Sequence, residues 1–483
     1  MLVSQGLLPF HIQLTEDPDP VTAYAGLPLV LEGLRAVIPN ARYRELRDAL
    51  GYQDWKVARR HTESLVLLVA AGGEHISDLD TMRADAGLER LIGFRLSGTS
   101  AAKDFLYRFH QTPDGQPLTP AEDAHLSVKG TARIRPEGPG LLALEAMVLD
   151  VVEALQRVRP RTRATLDVDA TIIEALKKTA LKAYEGTVGY QPQMAWWAEQ
   201  GLWIAGEFRD GNVPAHFEVR PFLQHAFGNL PATVTSKRFR GDSGLYDEKA
   251  LTWVADEADV EFAVTAKMSA SLSKTIGSLS EAAWKPYRSL NPAAETREER
   301  QWAEVKDFVP AWKRNAQPGA VPFRYLAIRV RSLQADLFEE DEASWRHFSV
   351  VTNMDWRGDR LLRWHREKQG TVEHGHGVLK GDLGGGVLPT GKFGANAAWW
   401  RLQVLAANLL ELLKVQALPE ELATARPKRL RFSLFCLAGR LVTHARRLVL
   451  RVSSHFPLAA AYVAARGHLQ RLALQLRVTR APG

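Results

Sequence analysis

Glu373, His376 and Lys380 stand in the run Thr371-Val-Glu-His-Gly-His-Gly-Val-Leu-Lys380. The seven-residue step from Glu373 to Lys380 is close to two turns of a helix, so both side chains share one face about 10 Å apart along the axis. His376 falls between them at i+3. A carboxylate, an imidazole and an ammonium in one row can hold a divalent cation at one end and a phosphate at the other. A solvated helix face with an ordinary i,i+3 pair has the same pattern, so the weight rests on acids elsewhere in the chain.

The first of these lie in Thr165-Leu-Asp-Val-Asp-Ala-Thr-Ile-Ile173. Strict alternation with β-branched neighbours predicts a strand. Thr165, Asp167, Asp169 and Thr171 then point one way, and Leu166, Val168 and Ala170 the other. Two carboxylates on one strand face are costly unless they are solvated, paired or bound to a cation. The second site is Ser236-Lys-Arg-Phe-Arg-Gly-Asp-Ser-Gly244, where a short strand ends in a Gly-flanked Asp242. A helix over 245–255 and a strand over 260–266 follow. Acids at strand ends before helices are where α/β sheets place ligand chemistry.

Five segments in order resemble DDE-type insertion-sequence transposases, with the insertion-sequence-1380 family the nearest group. They are Leu166-Asp-Val-Asp-Ala-Thr171, Gly189-Tyr-Gln-Pro-Gln193, Glu207-Phe-Arg-Asp-Gly-Asn212, Arg240-Gly-Asp-Ser-Gly244 and Gly391-Lys-Phe-Gly-Ala-Asn-Ala-Ala-Trp-Trp400. The resemblance covers most of the chain, and the ordered set is more specific than any one segment. It implies an α/β fold: a ribonuclease-H-like catalytic core with a mostly β insertion subdomain, a helical N-terminal domain and a basic C-terminal region. It also implies a catalytic and metal-binding triad of Asp169, Asp242 and Glu373 holding two Mg²⁺ or Mn²⁺ ions. Asp169 is taken over Asp167 because the family's acid precedes Ala-Thr. Where related transposases carry Tyr and Arg ahead of the Glu, this chain has Arg366 and Gln369, while Glu373 and Lys380 keep their places.

Three carboxylates suit that chemistry. Metal-assisted phosphodiester cleavage uses one ion to generate the nucleophile and another to stabilise the leaving oxygen. Magnesium takes oxygen ligands and keeps waters, so a few carboxylates and a substrate phosphate complete its shell. Lys380 would steady a phosphate electrostatically. Arg366, His376 and Arg240 are further candidate DNA contacts, and Trp284, Trp302 and Trp312 could stack a displaced base. Asp167 is a supporting partner or an ordinary strand acid. Gly375 and Gly377 weaken the Glu373 helix, which marks a close approach of DNA backbone or a slack helix.

Charge distribution agrees with a nucleic-acid partner. The net charge of +7 is modest. Beyond Glu421, however, there is no Asp or Glu while a dozen arginines and lysines follow, an electrostatic footprint for phosphates. With 46% hydrophobic and 24% charged residues the chain has the composition of a globular protein. Its 483 residues exceed one compact core. Cys436 is the only cysteine, which excludes intrachain disulfides and multi-thiolate zinc sites; its apolar run predicts burial. No stretch is apolar enough to span a membrane, and 1–9 lacks the features of a leader. The expectation is a bacterial cytoplasmic, nucleoid-associated protein.

The elements that must position these residues divide as follows. A helical N-terminal DNA-binding domain covers 1–131, with helices over 21–38, 42–50, 55–71 and 101–109. The ribonuclease-H-like core occupies 132–269 and 346–420, starting with a helix over 141–158. Strands pair over 191–198 and 202–209, and a helix over 216–227 follows. The step from Asp242 to Glu373 is too long for a loop in a compact core, so 270–345 is assigned to the insertion, with strands over 323–331 and 348–352 near its end. Residues 421–483 form the basic region. Glu207 and Asp210 are taken as hairpin residues at Asp-Gly-Asn. Gly386-Val-Leu-Pro-Thr-Gly-Lys392 matches a phosphate-loop pattern, but Phe393 replaces the Ser or Thr and no strand precedes it. It is assigned instead to turn the Glu373 helix back onto a long amphipathic helix over 395–413.

The expected function is cut-and-paste DNA transposition, by strand cleavage at the element ends and transfer of the 3′-hydroxyl to target DNA. The partners are double-stranded DNA, as terminal repeats and target, and a second copy bridged by DNA. The alternatives are a structure-specific metal-dependent nuclease and a catalytically silent DNA-binding relic.

Overall fold

The computed structural model describes residues 2–5, 11–13, 20–256, 258–288, 298–306, 308–316, 323–332 and 345–480. Most of the segment 1–9 and parts of the expected insertion (289–297, 317–322 and 333–344) lie outside the described residues.

One mixed sheet carries the architecture. Its strands, in chain order, are β1 (Arg163–Ala170), β2 (Gln193–Trp197), β3 (Leu202–Glu207), β4 (Ser236–Gly241), β5 (Val260–Thr265), β6 (Lys285–Pro286), β7 (Glu298–Val305), β8 (Arg324–Ser332) and β9 (Arg346–Thr352). Across the sheet they run β6-β7-β8-β9-β5-β4-β1-β2-β3. The centre, β1, β4 and β5, is parallel, and both wings are antiparallel. β1 is buried along most of its length, which the covering of both faces of a parallel core requires.

Among the described residues, the strands of the segment assigned to an insertion, β6, β7 and β8, build no sheet of their own. β9 pairs with β5 through Ala263↔Thr352 and Val264↔Val351, and β8, β7 and β6 continue outward from it. The open edge of β5 explains this: an unpaired row of backbone donors and acceptors is satisfied by the next strand available.

Helix Pro139–Val158 packs along the long helix Phe393–Gln416. The long helix is buried nearly all round rather than amphipathic, as an apolar helix enclosed by protein must be. Asn408 fixes it to β3 by bracketing the backbone of Trp203, accepting from its N–H at 2.9 Å and donating to its carbonyl at 2.8 Å. Thr390 and Asn396 hold the turn before it: the Thr390 N–H donates to the Asn396 side chain at 3.1 Å.

The N-terminal helices Asn40–Leu50, Trp55–Ala71 and Thr99–Tyr107 lie close to their expected bounds. The helix expected over 21–38 instead begins at Pro28, where proline suits a first turn. Val21–Thr22 is a strand paired with Gly439–His444 of the C-terminal region. That region is joined to the start of the chain a second time, since helix Ala459–Arg480 packs on helix Pro28–Val37 and Arg466 pairs with Glu32 at 2.7 Å. Cys436 is exposed, contrary to expectation: the turn Arg431–Phe435 directs Leu434 and Phe435 inward and leaves the next residue outside. Among the described residues no helix is long and apolar enough to cross a membrane.

Candidate active site

β1 and β4 are parallel neighbours with Arg240 opposite Asp167. Two residues further along each strand come Asp169 and Asp242, so the parallel register alone brings these carboxylates side by side at the C-terminal ends of the strands. Asp242 sits just past β4, where its side chain accepts from the Gly244 N–H at 2.9 Å and starts a short helical turn. It is half exposed, whereas Asp169 is largely buried.

Asp167 and Arg240 do a different job. Arg240 donates to both oxygens of Asp167 at 2.6 and 2.8 Å, and the Thr371 hydroxyl donates to the same carboxylate. Arg240 also reaches the Trp364 carbonyl at 2.5 Å and Glu367 at 3.2 Å. Both members of the pair are buried. This network ties two strands to the helices Gly358–Arg366 and Lys368–Gly377. Asp167 is therefore a paired strand acid, and Arg240 is committed inside the protein rather than presented to DNA.

The second of these helices carries Glu373 and lies over β1 and β2. Gly375 allows the approach: a Cβ there would stand 2.7 Å from the Trp203 ring and 3.1 Å from that of Trp196. The glycine thus marks a seat on the sheet, neither a DNA contact nor slackness. Gly375→Val is expected to push the helix off that seat, costing about 1–3 kcal/mol, as thermal melts would read.

Beyond Gly377 the helix widens into the turn Val378–Asp382, so the row Glu373–His376–Lys380 does not form one functional face. Lys380 is half-buried, its ammonium pushed down by burial, and it donates to the Ile172 carbonyl just past β1 at 3.4 Å. His376 is buried against Trp203, their ring centroids 5.1 Å apart. Neither of its ring nitrogens has a partner among the described residues. Asp382, at the end of the turn, is buried and paired with Arg426 at 2.8 Å and Lys428 at 3.6 Å, so part of the basic tail anchors this helix.

Burial, with Lys380 nearby, holds the His376 imidazole down at about 3, against an ordinary value of 6.5. Between these values the unfolded chain binds the extra proton, so stability present above pH 6.5 is lost as the pH falls toward the folded value. His376→Leu is expected to escape this loss, up to about 1.4 kcal/mol per pH unit. It should also gain about 1 kcal/mol at neutral pH by removing two unpaired buried nitrogens. Melts between pH 7 and pH 5 check both.

Asp169, Asp242 and Glu373 line one cavity of about 480 Å³. Its far wall comes from Arg300 on β7 and Ile328 and Val330 on β8, in the segment assigned to the insertion, and from Arg346 and Phe348 on β9 beside them. Arg366 and Lys368 border the acids. Lys368, buried, places its ammonium 3.4 Å from Asp169 and 3.9 Å from Asp242. Burial, offset in part by Lys368, pushes the Asp169 carboxyl up to about 6. The acids converge without forming a ready cage: among the described residues no group of three or more His, Cys, Asp or Glu side chains stands close enough together to hold a metal.

Of the tryptophans expected to stack a base, Trp302 is buried, and Gly358 is what lets the next helix pass over its ring. Trp312 is half-buried beside Phe323 at 6.0 Å, and Trp284 lies against the Arg329 guanidinium at 4.4 Å. None of the three lines the cavity; the exposed aromatic that does is Phe348. Sequence reasoning missed Phe348, Arg346 and Lys368. Lys368 lies five residues before Glu373, off the i,i+3/i+4 face, and the orientation of β9 depends on a pairing that no local pattern encodes. Glu207 ends β3 opposite Gln193 in the β2–β3 hairpin and pairs with Arg209. Asp210 bridges Tyr190 beyond it and pairs with Arg135, but Asp-Gly-Asn turns into no returning strand, and the chain runs on to helix Val219–Gly228.

Comparison with known proteins adds a family. The family described as "Transposase DDE domain group 1" matches residues 60–474. No curated protein matches. A solved structure described as "Cryo-EM structure of piggyBac transposase synaptic complex with hairpin DNA (SNHP)" is similar with a TM-score of 0.46 and 8% identity, over 96% of this chain and 85% of that chain.

Proposed function

The chain belongs to the transposase DDE domain group 1 family, and from that premise we propose that it is a cut-and-paste DNA transposase whose catalytic acids are Asp169, Asp242 and Glu373. One observation carries the reading: acids from two adjacent parallel strand ends and from a separate helix open into the same cavity. Membership of the insertion-sequence-1380 group, a bacterial source and a DNA-bridged dimer belong to the same proposal.

The donor set fits Mg²⁺ or Mn²⁺. All three acids offer oxygen ligands, and the buried Asp169 carboxyl lacks enough positive charge nearby to hold its usual acidity. Bound there, two such ions would activate the attacking hydroxyl and stabilise the leaving oxygen.

The protein's own residues supply the rest. Asp167 and Arg240 hold β1, β4 and the Glu373 helix in register, so the acids meet without a search. Arg366, at the cavity, and Lys380, just past the end of β1, offer positive charge to the phosphates flanking the scissile bond. The apolar wall of Ile328, Val330 and Phe348, framed by Arg300 and Arg346, suits an unpaired base stacked beside the reacting strand.

Phe348→Ala is expected to weaken processing of the DNA end by about tenfold or more, the worth of one stacked base. Its fold should hold, because the ring is 44% exposed. Cleavage of labelled duplex ends by the two proteins tests the proposal, and equal rates would remove Phe348 from the substrate site.

A further inference from the structure

Lys368 is the first residue of the Glu373 helix and is 6% exposed. Lysines are almost never buried to this degree unless paired. Its partners are the two carboxylates that come from different strands, Asp169 at 3.4 Å and Asp242 at 3.9 Å. Its main chain is held by the helix it opens, where its carbonyl lies 3.0 Å from the Thr371 hydroxyl, the group that donates to Asp167. The flexible four-carbon stem leaves only the ammonium free to move within the cavity.

We propose that Lys368 is a positioning residue, the resident counter-ion that holds Asp169 and Asp242 together before a divalent ion arrives and competes with that ion for them. This rests on the proposed ligand role of the two acids. Two carboxylates at adjacent strand ends, one of them largely buried, repel each other, and one ammonium relieves that repulsion. A divalent ion bridging the pair must take the ground the ammonium holds, and the two cations exclude each other. One ammonium faces two carboxylates, at 3.4 and 3.9 Å, so a single positive charge leaves the pair under-compensated and ready to exchange it for a doubly charged ion. The displaced ammonium stays inside the cavity, within reach of an incoming phosphate.

The test is calorimetric titration of Mn²⁺ into the full chain without DNA, with thermal melts of the metal-free proteins. Lys368→Met is expected to bind Mn²⁺ at least about tenfold more tightly than wild type, the worth of one nearby unit charge, and to melt at a lower temperature until Mn²⁺ restores it. Lys368→Arg, which keeps the charge, should bind as wild type does. Lys368→Gln gives the same reading as Met if the Met variant folds poorly. Equal Mn²⁺ affinity in wild type and the uncharged variants, with binding abolished by Asp169→Asn, overturns the counter-ion role and leaves the metal site standing. Binding that is indifferent to Asp169→Asn overturns both.

Discussion

Arg240→Met is expected to lower the stability of the chain by about 3–5 kcal/mol, because it leaves the Asp167 carboxylate buried and unpaired. No surface charge change in this protein should cost as much. Asp167 has no exposure at all and takes two bonds from Arg240. The same guanidinium bonds the Trp364 carbonyl and lies 5.0 Å from the centre of the Trp364 ring. Four elements therefore lose a shared fastening in one substitution. The paired replacement Asp167→Leu with Arg240→Met should recover most of the loss, since no charge is then stranded. Urea midpoints of the two variants against wild type separate this account from one in which Arg240 serves DNA. In the latter case the single variant would keep its midpoint and lose only affinity.

Asp242→Asn and Glu373→Gln are expected to do the opposite, removing activity while sparing the fold. Both side chains are solvent-accessible, and an asparagine at 242 can still accept from the Gly244 N–H as Asp242 does. Each loses the anionic oxygen a divalent cation needs, so metal-dependent strand cleavage should fall by about three orders of magnitude or more, the scale on which residues acting as one catalytic unit fail. Melting temperatures should stay near that of wild type. Asp169→Asn is the less clean variant, because it also takes a partner from the buried Lys368 ammonium.

How much of this was legible in the sequence depended on range. Alternation placed Asp167 and Asp169 on one face of a strand, and β1 has that face; the helix Trp55–Ala71 has its expected bounds to the residue. Paired strands over 193–207 follow equally from local pattern. Relations across the sheet were not legible. Arg240 in Lys-Arg-Phe-Arg resembles a DNA contact until the parallel register sets it opposite Asp167. β7 and β8 resemble a separate module until their backbone pairing, through β9, joins them to the sheet of the core. Trp302 is one aromatic among thirteen tryptophans until Gly358 is seen to fit over its ring. The wall bearing Phe348 faces the acids only because β9 lies beside β5. The chemistry was local in its donors and non-local in everything that holds them.

The most direct test of the account is strand transfer. A labelled DNA end bearing the sequence that borders the chain's own gene would be incubated with target DNA and Mg²⁺ or Mn²⁺, using wild type and Glu373→Gln. The account predicts metal-dependent cutting at the boundary and covalent joining of the new 3′-hydroxyl to target, with both products absent from the variant. Joined product in both proteins would remove Glu373 from the site. Cutting without joining would contradict the transposase reading and leave a nuclease on the same scaffold.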